Sequence, residues 1–192
     1  MPPPLDPLAC AVFVIVAFIP AGLAHSLWLR SPWAARCRIP IDGGLTWRDR
    51  RLLGDNKTWA GFVVLPPMTG LTFSTLRWAT ESWHAGLWPL SVEGYALLGC
   101  WTGVGFMAGE LPNSFIKRQC GVAPGAAPAH RGVRLVCFLI DRLDSIAGAF
   151  LAQAVVVPVG VAYAFWLLLI GPGLHWLFSV LLFALGVKGR PS

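Results

Sequence analysis

Residues 145–187 form a run of 43 positions without a single Asp, Glu, Lys or Arg. About 20 apolar residues in a helix cross the hydrocarbon core of a bilayer with every backbone hydrogen bond satisfied internally, so a run of this length reads as two spans. The turn between them has two possible places, Pro158-Val159-Gly160 and Gly171-Pro172-Gly173. The second is expected, because a Pro-Gly cluster ends a helix where a lone Pro only kinks one. Residues 8–29 and 58–76 are likewise uncharged, and 85–109 carries only Glu93. With 56% hydrophobic and 12% charged residues, the chain has too little polar surface to cover a soluble globule of 192 residues. The expected fold class is all-α: a single integral membrane bundle, 1–192, of about five transmembrane helices near 8–29, 58–76, 85–109, 145–170 and 172–188.

Short loops rich in Lys and Arg stay cytoplasmic. Residues 30–57 hold Arg30, Arg36, Arg38, Arg48, Arg50, Arg51 and Lys57, residues 110–144 hold Lys117, Arg118, Arg131, Arg134 and Arg142, and the tail holds Lys188 and Arg190. Only Arg77 is left for the opposite side. A multi-pass protein of the plasma or inner membrane follows, with its N-terminus outside and two cytoplasmic loops, 30–57 and 110–144. Met1 to Asp6 contains no Lys or Arg, so the first span is expected to be retained rather than cleaved as a signal peptide. The net charge of +6 is assigned to topology and anionic headgroups, with no nucleic-acid partner expected. The five cysteines and four histidines show no metal-ligand spacing and read as packing residues.

A hydrophilic site must be built from the two loops and the helix ends beside them. In the first, Gly54-Asp55-Asn56 is a turn signal, and Lys57-Thr58 follow at the first turn of a span. Free amides, the positive end of the helix dipole, an ammonium and a hydroxyl converge there, an anion site that competes with a purely topological role for the basic residues. In the second, Pro112 favours a new helix in which Ser114, Lys117 and Arg118 share one face, suited to phosphate. Residues 121–132, rich in Gly, Ala and Pro, suggest a mobile lid. Asp141 and Asp144 stand at helical spacing beside the long apolar run. Two carboxylates at a lipid boundary need neutralising, by Arg142 and other cations or by a divalent cation such as Mg2+, which takes one or two carboxylates together with substrate phosphates.

Gly54-Asp55-Asn56-Lys57-Thr58-Trp59-Ala60-Gly61-Phe62, Ser114-Phe115-Ile116-Lys117-Arg118 and Asp141-Arg142-Leu143-Asp144 resemble, in that order, blocks of the CDP-archaeol synthase family, small relatives of phosphatidate cytidylyltransferases. The resemblance covers nearly the whole chain. It implies a Mg2+-dependent nucleotidyltransferase of phospholipid biosynthesis that moves a cytidylyl group from CTP to an isoprenoid or acyl glycerol phosphate. It further implies that Asp141 and Asp144 hold metal and are catalytic with Lys117 and Arg118, and that Asp55, Lys57, Thr58 and Ser114 bind substrate; Arg51 and Asn113, beside these blocks, are further candidates for substrate binding. Where the family commonly has Gly-Asp before its Ser-x-x-Lys-Arg block, this chain has Gly109-Glu110, which puts Glu110 forward as a third metal ligand. The rival is a non-enzymatic scaffold or small transporter that holds anionic lipid through its basic loops. A transporter would place ionisable groups at mid-membrane, where this chain offers Glu93 alone. The tails, CTP against dCTP, and oligomeric state are left open.

Overall fold

The computed structural model describes residues 4–80, 86–123, 126 and 131–186. Six helices and a two-stranded hairpin follow in the order α1 (Pro7–Leu29), α2 (Pro32–Arg36), β1 (Thr46–Trp47), β2 (Arg50–Arg51), α3 (Trp59–Ala79), α4 (Val92–Gln119), α5 (Arg131–Val156) and α6 (Val161–Ala184). The five long helices form a ring in which α1 packs on α3, α3 on α4, α4 on α5, α5 on α6, and α6 returns to α1. Of these, α1 and α6 are long and apolar enough to cross a membrane. Large apolar side chains face outwards, including Val12, Val16, Val155 and Leu169, with Val161 89% exposed. A surface of that kind marks contact with lipid or another protein.

Local chemistry explains the helix ends. Asp6 caps α1, accepting hydrogen bonds from the amides of Leu8 at 2.9 Å and Ala9 at 3.2 Å, with Pro7 in the first turn where its missing N–H is harmless. Ser91 caps α4 through the Gly94 amide at 3.1 Å. Glu93 therefore sits in the first turn of α4, against its dipole, and not deep within a span. Inside the ring, Phe13 meets Phe73 and Tyr95 edge-on at centroid distances of 5.5 and 5.0 Å. A buried polar chain fixes the register of three helices: Tyr163 donates to Gln153, Gln153 to Thr102 at 3.2 Å, and Thr102 to the Leu98 carbonyl at 2.7 Å.

Two boundaries depart from expectation. The break in the long apolar run falls at 157–160, while α6 runs through Gly171-Pro172-Gly173. The indole N–H of Trp88 donates to the Pro158 carbonyl at 2.9 Å and holds the turn, whereas Pro172 only forfeits one hydrogen bond inside a helix packed on neighbours. Pro112, similarly, lies within α4 and does not start a helix. Most of 110–144 is therefore helical, as the end of α4 and the beginning of α5, and only 120–130 separates them. The lid suggested for 121–132 has half of its positions, 124–125 and 127–130, outside the described residues.

Close backbone approach joins α4 to α5. A Cβ on Gly148 would come within 2.6 Å of the Gly109 Cα and collide with the Gly105 carbonyl, and one on Gly109 would strike the backbone of Asp144. Glycine at both places brings the two helices together next to Glu110 and Asp144.

Candidate active site

The loop between α2 and α3 is an ordered structure built on one carboxylate. Asp42 accepts from the amides of Gly44 at 3.1 Å, Leu53 at 2.9 Å and Gly54 at 3.3 Å, and from Arg51 Nη2 at 2.8 Å. Its side chain is 1% exposed. Burial alone would raise this carboxyl, but the Arg51 guanidinium and the three amides outweigh it and hold it at about 2. The β1–β2 hairpin turns at Arg48 and Asp49, both at positive φ, and Arg50 donates to the Gln119 carbonyl at the end of α4. Ile41 N–H donates to the Lys57 carbonyl at 2.9 Å and Trp59 N–H to the Ile39 carbonyl at 3.0 Å, so the loop delivers Lys57 to the end of α4.

There Lys57 Nζ pairs with Glu110, whose other oxygen accepts from the Ser145 hydroxyl at 2.9 Å. One turn along α4, Asn113 Nδ2 donates both to Asp141 and, at 2.8 Å, to Asp144. Lys117 pairs with Asp141, and the Ser145 amide donates to Asp144 at 2.7 Å. Burial favours neutral Lys57, yet the surrounding carboxylates, Glu110 first, win and raise its pKa. The reciprocal contest at Glu110, burial against the Lys57 ammonium, leaves that carboxyl well below its usual range. Asp144 is raised, by burial and then by the nearby Glu110 charge against the opposing Asn113 hydrogen bond.

Lys57, Glu110, Asn113, Lys117, Asp141 and Asp144 line the polar end of a cavity of about 840 Å³. Its opposite end is apolar, walled by Phe18, Leu65, Phe106, Leu167 and Phe178 among others. Ser114 and Arg118 also face it and are 7% and 8% exposed. Arg118 Nε and Nη1 are buried without a hydrogen-bond partner among the described residues. A guanidinium taken out of water in this way calls for an anion.

The cavity brings together Lys57, Thr58, Glu110, Asn113, Ser114, Lys117, Arg118, Asp141 and Asp144, all singled out from the sequence. Thr58 makes no side-chain cap to α3, so its hydroxyl is not used there. Arg51 and Asp55 are not among the lining residues; they pair with each other at 2.6 Å and, through Arg51, with Asp42, so their place is in the loop scaffold. Arg142 contributes a Coulombic attraction to Asp141, beside the ion pair that Lys117 makes with it. It lies 3.3 Å from the Phe138 ring centroid and donates to the Phe138 carbonyl at 2.9 Å. Sequence reasoning missed Asp42, whose signal was Asp-Gly-Gly, and Ser145, which carries none.

Among the described residues no three His, Cys, Asp or Glu side chains form a ready-made metal cage. The donor set nonetheless fits Mg2+, which binds through one or two carboxylates and completes its shell with water and substrate phosphate. A single amide nitrogen, that of Asn113, touches both Asp141 and Asp144, so the two carboxylates converge on one point.

The profile of a family described as CarS-like, CDP-archaeol synthase, matches residues 32–191. A CDP-archaeol synthase of Methanosphaerula palustris is 34% identical over 160 residues, 79% of this chain and 89% of the relative. Those of Halobacterium salinarum and Pyrococcus furiosus are 32% identical over 194 residues and 33% identical over 177, covering 97% and 90% of this chain and 99% and 93% of the relatives. No solved structure matches the chain. An all-helical chain with membrane-length helices and this relationship is an enzyme of the lipid cytidylyltransferase class. It belongs to the CDP-archaeol synthase family.

Proposed function

We propose that the chain transfers the cytidylyl group of CTP to a glycerol lipid phosphate, of archaeol or diacylglycerol type, with release of pyrophosphate. The carrying observation is the buried Arg118 guanidinium, whose Nε and Nη1 have no hydrogen-bond partner among the described residues, beside Ser114 and Lys117 at the polar end of a cavity whose other end is apolar. Such a cavity suits a molecule with a phosphate head and hydrocarbon tails. In the reaction a lipid phosphate oxygen forms a bond to the α-phosphorus of CTP while the bond from that phosphorus to the bridging oxygen breaks, and pyrophosphate leaves with the electron pair. The nucleophile is already ionised at neutral pH, so no general base is required.

Both reactants are anions, and the residues answer that repulsion. Arg118, Lys117 and the Ser114 hydroxyl bind phosphate oxygens, and Lys57, kept charged by its carboxylate neighbours, adds a further cation. Asp141 and Asp144, with Glu110 beside them, would hold Mg2+, which when bound neutralises phosphate charge and polarises the attacked phosphorus. Asn113 orients the two aspartates and Ser145 orients Glu110.

In this reading all five long helices cross a plasma or inner membrane, with the basic loop and the polar mouth of the cavity towards the cytoplasm. The clustering of ionisable groups at one end of the bundle, with Glu93 at a helix terminus, disfavours a transporter, which needs them at mid-membrane. The test is to incubate purified protein with radiolabelled CTP, Mg2+ and a panel of ether- and ester-linked glycerol phosphates. Label in a lipid product, with pyrophosphate in equal amount, is expected; no labelled lipid from folded protein would sink the reading.

A further inference from the structure

The end of the bundle where α1 stops and α3 starts carries a surface that the reaction does not use. The two helix ends are tied together, the Trp28 indole N–H donating to the Ala60 carbonyl at 3.0 Å. α2 begins three residues after α1 ends, so it starts from that same end. Ser31 caps it through the Ala34 amide at 3.2 Å, and Ala34 is its one buried residue. Trp33, 61% exposed, and Arg36 are left outside, with the Arg36 guanidinium 4.6 Å from the centroid of the Trp33 ring. Ile39, 59% exposed, is pinned to the start of α3, its carbonyl accepting from the Trp59 amide at 3.0 Å, and Trp59 is exposed as well.

Residues 30–41 hold Arg30, Arg36 and Arg38 and neither Asp nor Glu. The three arginines are exposed, and none takes part in an ion pair among the described residues. Because α1 is long and apolar enough to cross a membrane, a surface at its end lies at the level of the headgroups. Indole rings settle at that level, and arginines there are drawn to anionic lipid. Cations without acids, set among exposed apolar side chains, complement a lipid of negative charge and not a neutral one. The same segments border the cavity: Leu29 precedes Arg30, Ile41 follows Ile39 by two positions, Thr58 precedes Trp59, and all three are lining residues.

We infer that α2, with Ile39 and Trp59, is a docking surface for the headgroups of anionic glycerophospholipids, in which Arg36 takes the lipid phosphate and the Trp33 and Trp59 rings sit at the apolar edge of the headgroup layer. Such a surface raises the local concentration of anionic lipid beside the cavity. Its consequence for catalysis, delivery of a lipid phosphate substrate, rests on the reading above; the binding of headgroups does not.

The experiment places a photo-crosslinking benzophenone amino acid at position 33 of the full chain, in bilayers of phosphatidylcholine with a trace of radiolabelled phosphatidylglycerol or radiolabelled phosphatidylcholine, and compares the two adducts without CTP. The anionic lipid should be captured in excess, and the excess should shrink as salt is raised. Arg36→Gln should lower the ratio roughly fivefold, the loss of one cation at a membrane surface, and Arg36→Lys should keep it. Equal capture of the two lipids, no lipid adduct, or a ratio indifferent to Arg36→Gln would overturn the docking surface. In turnover assays on the same bilayers, with position 33 unaltered, Arg36→Gln should raise the KM for a dialkyl glycerol phosphate by a similar factor and leave the KM for CTP in place. An unchanged lipid KM, or an equal rise for CTP, would overturn the delivery role. If the unaltered protein labels no lipid from CTP, the cytidylyl-transfer reading fails, while the crosslinking ratio still decides whether headgroups dock here.

Discussion

Replacing Asp42 by Asn tests whether one buried carboxylate organises the loop that supplies Lys57. The carboxyl is held at about 2 against an ordinary 3.8, a difference that corresponds to about 2 kcal/mol of stabilisation at neutral pH. Because the folded value is the lower one, this contribution is complete above about 3.8 and disappears as pH falls through about 2. Asn keeps the size of the side chain but loses the charge that faces Arg51, and it presents an N–H₂ group to donors. Hydrogen exchange at the Gly44, Leu53 and Gly54 amides, the three that bond to Asp42, reads the loop directly. A loss of about 2 kcal/mol should speed their exchange by roughly thirtyfold at neutral pH while amides in α4 and α5 keep their rates. Turnover should fall as well, since Ile41, next to Asp42, is bonded to the Lys57 carbonyl. Unaltered exchange at all three amides would refute the idea that this carboxylate holds the loop.

Arg118→Ala should lower turnover by about a hundredfold or more, the loss of one preorganised electrostatic group, with folding judged by gel filtration; a near-normal rate would remove Arg118 from phosphate binding. Asp141→Asn should lose activity to a similar extent, and chelation of divalent ions should abolish product formation in the unaltered protein until Mg2+ is returned. Turnover that survives chelation would dispose of the metal assignment. Gly148→Ala should destabilise the protein by about 1–3 kcal/mol, because a Cβ there meets the backbone of Gly105 and Gly109; thermal unfolding in detergent gives the number, and an unchanged midpoint would show that α4 and α5 do not pack as described.

The residues that a sequence reader could find are those whose chemistry is local. Ser114, Lys117 and Arg118 share a face whenever their segment is helical, so their meeting at the cavity did not depend on where α4 begins. Lys57 and Thr58 follow a turn signal and line the cavity, though they stand just before α3 and not in its first turn, with Thr58 as its extended N-cap. Helix boundaries behaved differently. Proline at 112 and 172 reads as a terminator, but a helix held on several sides by neighbours tolerates the lost hydrogen bond, and tertiary packing at Trp88 decided which turn was used. Arg51 and Asp55 were chosen for charge and proximity to Lys57, and only the fold shows that Asp42 claims Arg51.

The seam between α1 and α6 joins two helices more than a hundred positions apart, with the Phe178 ring lodged where a Cβ on Gly22 would stand. During synthesis α1 leaves the ribosome well before α6, so until α6 follows the ring of helices has an open stave. The hollow that is to receive a lipid is enclosed only after α6 docks back on α1, and loss of α6 leaves a gap in its wall where Leu167, Leu174 and Phe178 belong.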